Sequence, residues 1–183
     1  MLQYELILRA VDVRGQWLKS YANEGGIIRG GTRWQDGLTW DMVRDDLTGF
    51  EKVVSKTARS APEPRFFDLV NLPEIQERLA ETPADKRVGP VILSMKRGGI
   101  PFTRQGWSQA WARYRKLAGI PEEIWMMDTR AGGVTEAKEM GADPWALRDA
   151  AQHANVDTTN RYARGDASGK VVKLRQKRTS GEQ

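Results

Sequence analysis

Met127-Asp128-Thr129-Arg130, Gln152-His153-Ala154-Asn155 and Thr158-Thr159-Asn160-Arg161-Tyr162 follow one another through the last third of the chain, and they decide how the rest is read. Glycine and capping residues divide this third into three helical segments. One runs over residues 129–140 and stops at Gly141, one opens at Pro144 and reaches about residue 153, and one spans 158–163 behind Asp157 as its cap. Arg130 therefore starts one helix, His153 ends the next and Tyr162 lies on the third. The three residue types share a chemistry. A guanidinium is planar, permanently charged and able to hold two phosphate oxygens at once. An imidazole can move a proton near neutral pH. A phenol, with an ordinary pKa of about 10, becomes a nucleophile when cations lower the cost of its ionised form.

The bulk numbers fit a partner rich in phosphate. The 183 residues carry a formal charge of +5, with an isoelectric point near 9.6, and lysine and arginine that neutralise DNA phosphates gain affinity by releasing counterions. With 39% hydrophobic and 29% charged residues the composition is that of a globular protein. The length suits one unit with its own core, taken here as residues 1–165, followed by a basic tail, 166–183. No apolar run is long enough to span a bilayer and no leader pattern opens the chain, so the expected compartment is the cytoplasm and no membrane partner is expected. The absence of cysteine excludes disulfides and thiolate metal sites, and a single histidine offers little to a metal. The expected chemistry uses neither metal nor cofactor, and no small-molecule substrate.

Working back toward the N-terminus, residues 2–13 have apolar side chains at Leu2, Leu6, Ile7, Val11 and Val13, which predicts a helix ended by Gly15. The glycine-rich stretch 23–37 reads as a loop without the spacing of a nucleotide-binding loop. Short runs rich in β-branched and aromatic residues predict strands over 37–43, 50–55 and 65–70, joined by turn residues Asp45, Asp46 and Gly49. Together they predict a small antiparallel sheet of three strands. Pro73 begins a helix to about Glu81, Val91 to Leu93 is a short strand or link, and Thr103 caps a helix to about Ala118. Trp107, Ala110, Trp111 and Tyr114 share one face of that last helix and are expected in the core. The predicted class is α+β, mainly helical, with the small sheet on one edge.

The order and spacing of the C-terminal groups resemble the signature of the tyrosine recombinases of the phage-integrase type, in which a His-x-x-Arg box precedes a Leu-Gly-His turn and a Thr-x-x-Tyr helix. The resemblance covers residues 129–164, including Ala131 and Gly132 after the arginine and the turn Gly141-Ala142-Asp143. It implies a catalytic domain that cuts and rejoins double-stranded DNA through a 3′-phosphotyrosine at Tyr162. It also directs attention to Arg9-Ala10-Val11-Asp12, which is similar to the family's first arginine motif, with Asp12 as carboxylate support. Arg33-Trp34-Gln35-Asp36 has the same pattern and is the alternative. Arg9 is preferred because its motif lies on a helical pattern, whereas Arg33 emerges from the glycine stretch. Lys56 falls where the family carries a hairpin lysine.

What the resemblance implies can be written as chemistry. The transition state at phosphorus gathers charge on the non-bridging oxygens, and Arg9 and Arg130 meet it with preset cations. Lys56 gives a proton to the leaving 5′ oxygen, and His153 donates to phosphate or assists proton transfer. One departure stands at Met127, where the family usually has histidine or lysine and where a thioether moves no proton. His153 or Asp128 is the candidate to compensate. A second departure is the helical domain that normally precedes the catalytic one, so the chain is read as N-terminally truncated. Two alternatives follow, a catalytically impaired DNA-binding remnant and a DNA-relaxing enzyme of the type IB topoisomerase kind. In related enzymes the segment after the nucleophile packs on a neighbouring protomer. Val171, Val172 and Leu174 give this tail apolar surface for such self-association, among the cations Lys170, Lys173, Arg175, Lys177 and Arg178.

Overall fold

A computed structural model describes residues 1–20 and 26–151, so the expectations for His153, Tyr162, the helix 158–163 and the basic tail lie outside the described residues. The chain forms two compact units, one of Met1–Arg130 and one that begins at Ala131. The expected mixture of helices with small antiparallel sheets is found, and several segments differ from their prediction for identifiable reasons.

The first unit opens with two short helices, α1 (Leu2–Glu5) and α2 (Ala10–Arg14), instead of one over residues 2–13. The break centres on Ile7, whose φ of 54° lies in the left-handed region that a β-branched residue rarely enters. Burial explains the break, because the turn drives the adjacent Ile7 and Leu8 inward together, to 7% and 2% exposure, whereas neighbouring residues on one helix point about 100° apart. Leu8 joins Val13, Leu38, Trp40, Val43, Leu47, Phe50, Leu69, Ile75 and Leu79 in the main core.

The stretch expected as a glycine loop carries strands. β1 (Gln16–Lys19), β2 (Ile28–Arg29) and β3 (Thr32–Gln35) form a three-stranded antiparallel sheet in the order β1-β3-β2. The β2–β3 turn is Arg29-Gly30-Gly31-Thr32, with φ of 53° and 69° at its two glycines. Positive φ at both central residues is what a tight hairpin turn matched to strand twist demands, and glycine supplies it without a side-chain clash. The sheet of three is therefore built upstream of the strands predicted for it. Residues 37–43 are not a strand. Leu38 is fully buried and Trp40–Met42 make a 3-10 turn, with single bridges from Thr39 to Pro90 and from Val43 to Phe50.

β4 (Gly49–Lys52) and β5 (Arg65–Asp68) pair as a separate two-stranded hairpin, with Phe50 opposite Phe67 and their rings stacked 4.9 Å apart. Strand alternation sends Phe50 and Lys52 inward and Glu51 out, so this hairpin buries a lysine beside its aromatic anchor. A short pair, β6 (Leu93–Ser94) with β7 (Ile100–Pro101), begins at the end of the stretch Val91 to Leu93, expected as a short strand or link.

The helices follow their signals closely. α3 (Pro73–Ala80) starts on its proline and buries Ile75 and Leu79. α4 (Arg104–Leu117) starts at Thr103, whose Oγ1 accepts the Gly106 N–H at 3.1 Å. Its aromatic face is not core, for no residue of α4 is fully buried and Tyr114 is 58% exposed. Trp107 and Trp111 instead line an apolar groove of about 1080 Å³ with Leu2, Leu79 and Ile92. α5 (Asp128–Glu139) ends before Gly141, whose φ is 95°. In the second unit α6 (Pro144–Ala151) begins where Asp143 Oδ2 accepts the Ala146 N–H at 2.8 Å, and it buries Leu147 and Ala151.

The neck of the β1-β3-β2 sheet is tight. Leu38 N–H donates to Val13 O at 3.2 Å, and Trp34 Nε1 donates to Arg14 O at 3.0 Å. The Trp34 indole fills the gap between Gly15 and Gly37, where a Cβ on either glycine would stand 2.2 Å from it. Gly37→Ala is expected to cost about 1–3 kcal/mol, the usual range for overpacking, read as a lower unfolding midpoint in urea. Gly30→Ala meets open space but is strained by its φ, and is expected to cost about 1 kcal/mol.

Candidate functional site

Arg9 occupies the N-cap position of α2 in extended backbone, partly buried, and Asp12 follows in the first turn. Asp12 is fully buried, an expensive place for a carboxylate without compensation. Its Oδ1 accepts the Ser55 N–H at 2.8 Å. Ser55 immediately precedes Lys56, which is exposed in the turn between β4 and β5. The Arg9 helix and the Lys56 turn are thus fastened to each other through Asp12. The turn has further internal bonds, from Thr57 N–H to Val54 O at 3.1 Å and from Ala61 N–H to Thr57 O at 2.7 Å.

Lys52 is a buried cation that the motifs of the chain do not single out. It is 2% exposed, and its Nζ donates to Gly37 O at 3.1 Å. Burial holds its pKa below the ordinary lysine value of 10.5, against the opposing pull of the Asp12 and Asp36 carboxylates. Arg14 is a second buried cation, its pKa lowered by burial and then by the nearby Arg104. A period-2 reading of β4 together with the inward position of Phe50 would have placed Lys52 inside.

The sign of the Lys52 effect is fixed by linkage. Its folded pKa lies below its unfolded one, so between the two values the unfolded chain binds more protons. Its contribution to stability therefore rises as pH climbs through the window that ends near 10.5. Lys52→Met is expected to flatten that rise, measured as urea midpoints across alkaline pH; an unchanged slope would refute the assignment.

Arg130 lies in the first turn of α5, partly buried. The start of α5 is held firmly: Thr129 Oγ1 donates to Met126 O at 2.7 Å, and Gln3 Nε2 reaches Thr129 Oγ1 at 3.4 Å from α1. Asp128 N–H donates to Trp125 O at 2.9 Å, while Asp128 Oδ2 accepts the Trp125 N–H at 2.7 Å, a reciprocal cap of the helix start. Met127 is 75% exposed. The 120s loop is tied to α4 by Trp111 Nε1, which donates to Ile124 O at 3.1 Å. Arg33, the alternative first arginine, is on β3, paired with Leu18 on one side and Ile28 on the other. Within the first unit the structure joins the Arg9 helix to the Lys56 turn, and α1 to the turn that carries Arg130. His153 and Tyr162 lie outside the described residues.

Among the described residues no group of three His, Cys, Asp or Glu side chains is placed to hold a metal, and no helix is long and apolar enough to cross a membrane.

This architecture is the fold of a tyrosine recombinase catalytic domain. The chain is similar to the Tn1549 transposon integrase in complex with circular intermediate DNA, with a TM-score of 0.58 and 13% identity over 94% of this chain and 55% of that one. It is similar to the same integrase in complex with transposon right end DNA, with a TM-score of 0.55 and 14% identity over 76% of this chain and 52% of that one. It is also similar to XerA recombinase, with a TM-score of 0.55 and 18% identity over 80% of this chain and 50% of that one. The chain thus spans about half the length of these solved structures. No protein-family model and no curated protein matches the sequence.

Proposed function

We propose that this chain is the catalytic part of a DNA integrase that cuts and rejoins double-stranded DNA at specific sites, of the phage type, through a 3′-phosphotyrosine at Tyr162. The observation that carries the proposal is the Asp12–Ser55 hydrogen bond, which fastens the Arg9 helix to the Lys56 turn in a fold of this class. The helix that begins at Arg9 and the turn that carries Lys56, far apart in sequence, are joined through one buried carboxylate, which supports a joint use of the two cations at a phosphate.

In the proposed reaction the Tyr162 phenol gives up its proton to water and the phenolate attacks phosphorus. The new O–P bond forms as the bond to the 5′ oxygen breaks, and that oxygen leaves as a hydroxyl with a proton from Lys56. Arg9 and Arg130 hold the non-bridging oxygens, where each lost donor in comparable sites costs about 10²–10³ in rate. His153 donates to a phosphate oxygen. The phosphotyrosine keeps the bond energy, so attack by a 5′-hydroxyl reverses the step and rejoins the strand without ATP. Asp128, committed to capping α5, supports Arg130 by fixing its helix start. The tail, through Val171, Val172 and Leu174, docks on a neighbouring copy on DNA. The proposed setting is the cytoplasm, on nucleoid or phage DNA.

A second reading, a DNA-binding remnant with impaired chemistry, is favoured by one observation. Met127 stands exposed at the position where the box would place a proton-transfer group. A duplex carrying a nick beside the scissile phosphate separates the two, because loss of the short downstream strand traps any covalent product. The first reading gives a protein–DNA adduct that survives denaturation. The second gives salt-sensitive binding without an adduct. Relaxation of a plasmid that lacks any specific site would instead identify a topoisomerase.

A further inference from the structure

Among the described residues, the sheet β1-β3-β2 is fastened to the core at its base. The Val13–Leu38 bond and the Trp34 indole, wedged between Gly15 and Gly37, close its base, and Gln16 Nε2 adds a bond to Asp36 Oδ2 at 2.6 Å. Beyond that base the sheet is unlike the rest of the unit. Lys19 and Arg29 are exposed, Leu18 and Ile28 are 41% and 40% exposed, and the Gly30-Gly31 tip faces open space. A sheet whose outer rows are exposed and whose glycine tip meets open space adds little to the core, so this end is available to a partner.

The register says which partner. Lys19 is paired with Thr32, and Thr32 with Arg29, so these three side chains stand in one cross-strand row on one face. Strands lie about 4.8 Å apart, which places the two cations roughly 10 Å from each other at the backbone, on side chains long enough to reach two phosphates of one strand. Among the described residues neither Lys19 nor Arg29 is in an ion pair. The opposite face of the same rows carries Leu18, Arg33 and Ile28. The carboxylates of the segment are Glu24 and Asp36, and Asp36 is engaged at the base by Gln16. Exposed cations in one row of this sheet, on a chain of formal charge +5, complement a polyanion.

We propose that this sheet is an arm that grips the DNA backbone through Lys19 and Arg29, separately from the residues proposed to cut it. The proposal rests on the DNA-directed function above and adds to it a binding element with its own contact row. Lys19→Ala/Arg29→Ala in the full chain removes two phosphate contacts. The plot of log affinity against log salt, measured by anisotropy on a mixed-sequence duplex, is then expected to flatten by about 1.8. Equivalently, the affinity lost between 50 and 200 mM salt shrinks roughly tenfold. Lys19→Arg/Arg29→Lys keeps the charge and is expected to keep the wild-type slope, which separates contact from folding. A wild-type slope in the alanine variant overturns the arm, and so does a wild-type slope accompanied by loss of self-association in sedimentation, which would give this face to a second copy. A wild-type chain without salt-sensitive duplex binding overturns the DNA-directed function itself.

Discussion

Tyr162→Phe is expected to abolish the covalent adduct on a nicked duplex while leaving duplex affinity within about threefold of the wild type. The phenylalanine ring keeps the bulk and apolar contacts of tyrosine, so folding and the cationic surface are retained. What it lacks is the oxygen proposed to attack phosphorus. Removal of a nucleophile costs several orders of magnitude in rate, whereas one lost hydroxyl bond in binding is worth about 1 kcal/mol or less. The large split between chemistry and binding is the signature to measure, by denaturing gel for the adduct and anisotropy for affinity. Loss of both together would place Tyr162 in the structure of the fold instead of its chemistry.

Asp12→Ala is expected to be the most damaging of the substitutions in the first unit. It leaves the Ser55 N–H without its acceptor and removes a carboxylate that opposes the desolvation of Lys52. Losing a buried bond to a charged group costs about 1.5–3 kcal/mol, and the stranded donor puts the total near the upper end. For a unit of this size that is on the order of 10 °C in melting midpoint. Asp12→Asn retains an oxygen for Ser55 but no charge, and is expected to fall between the two. The adduct rate should drop in Asp12→Ala even where the protein is fully folded, because the Lys56 turn loses its fastening to α2. A folded Asp12→Ala variant with a wild-type adduct rate would show that the Asp12–Ser55 bond only supports the fold.

Local signals that satisfy a backbone donor or set φ were legible in the sequence. Pro73, Thr103, Gly141 and Pro144 each mark a helix boundary that the structure keeps, because such signals act within one turn and need no distant partner. Where burial depends on remote contacts, the sequence pattern misled. Residues 2–13 have helical spacing, yet the core takes both Ile7 and Leu8 and breaks the helix between them. Residues 37–43 have strand composition, yet Leu38 and Trp40 are used as core plugs around a 3-10 turn. The glycine stretch concealed a hairpin whose Arg-Gly-Gly-Thr turn is itself a strand-pairing signal once the flanking Ile28 and Trp34 are seen as strand residues.

The site divides in the same way. Arg9 with Asp12, and Arg130 ahead of Ala131 and Gly132, were visible as short motifs with fixed spacing. The bond from Asp12 to Ser55 was not, since it closes 43 residues of chain and depends on how β4 sits against α2. Lys52 was legible only through the alternation of its strand. A lysine inside a strand reads as an outward residue until the register shows that it shares the inward face with Phe50.

The central claim concerns one oxygen, and peptide mapping of the trapped adduct tests it most directly. After protease and nuclease digestion of the adduct, mass spectrometry should find the nucleotide remnant on the peptide that contains Tyr162, attached through a 3′ phosphate. The chain has four tyrosines, and a remnant on Tyr4, Tyr21 or Tyr114, or cleaved DNA with no remnant on any peptide, would contradict it.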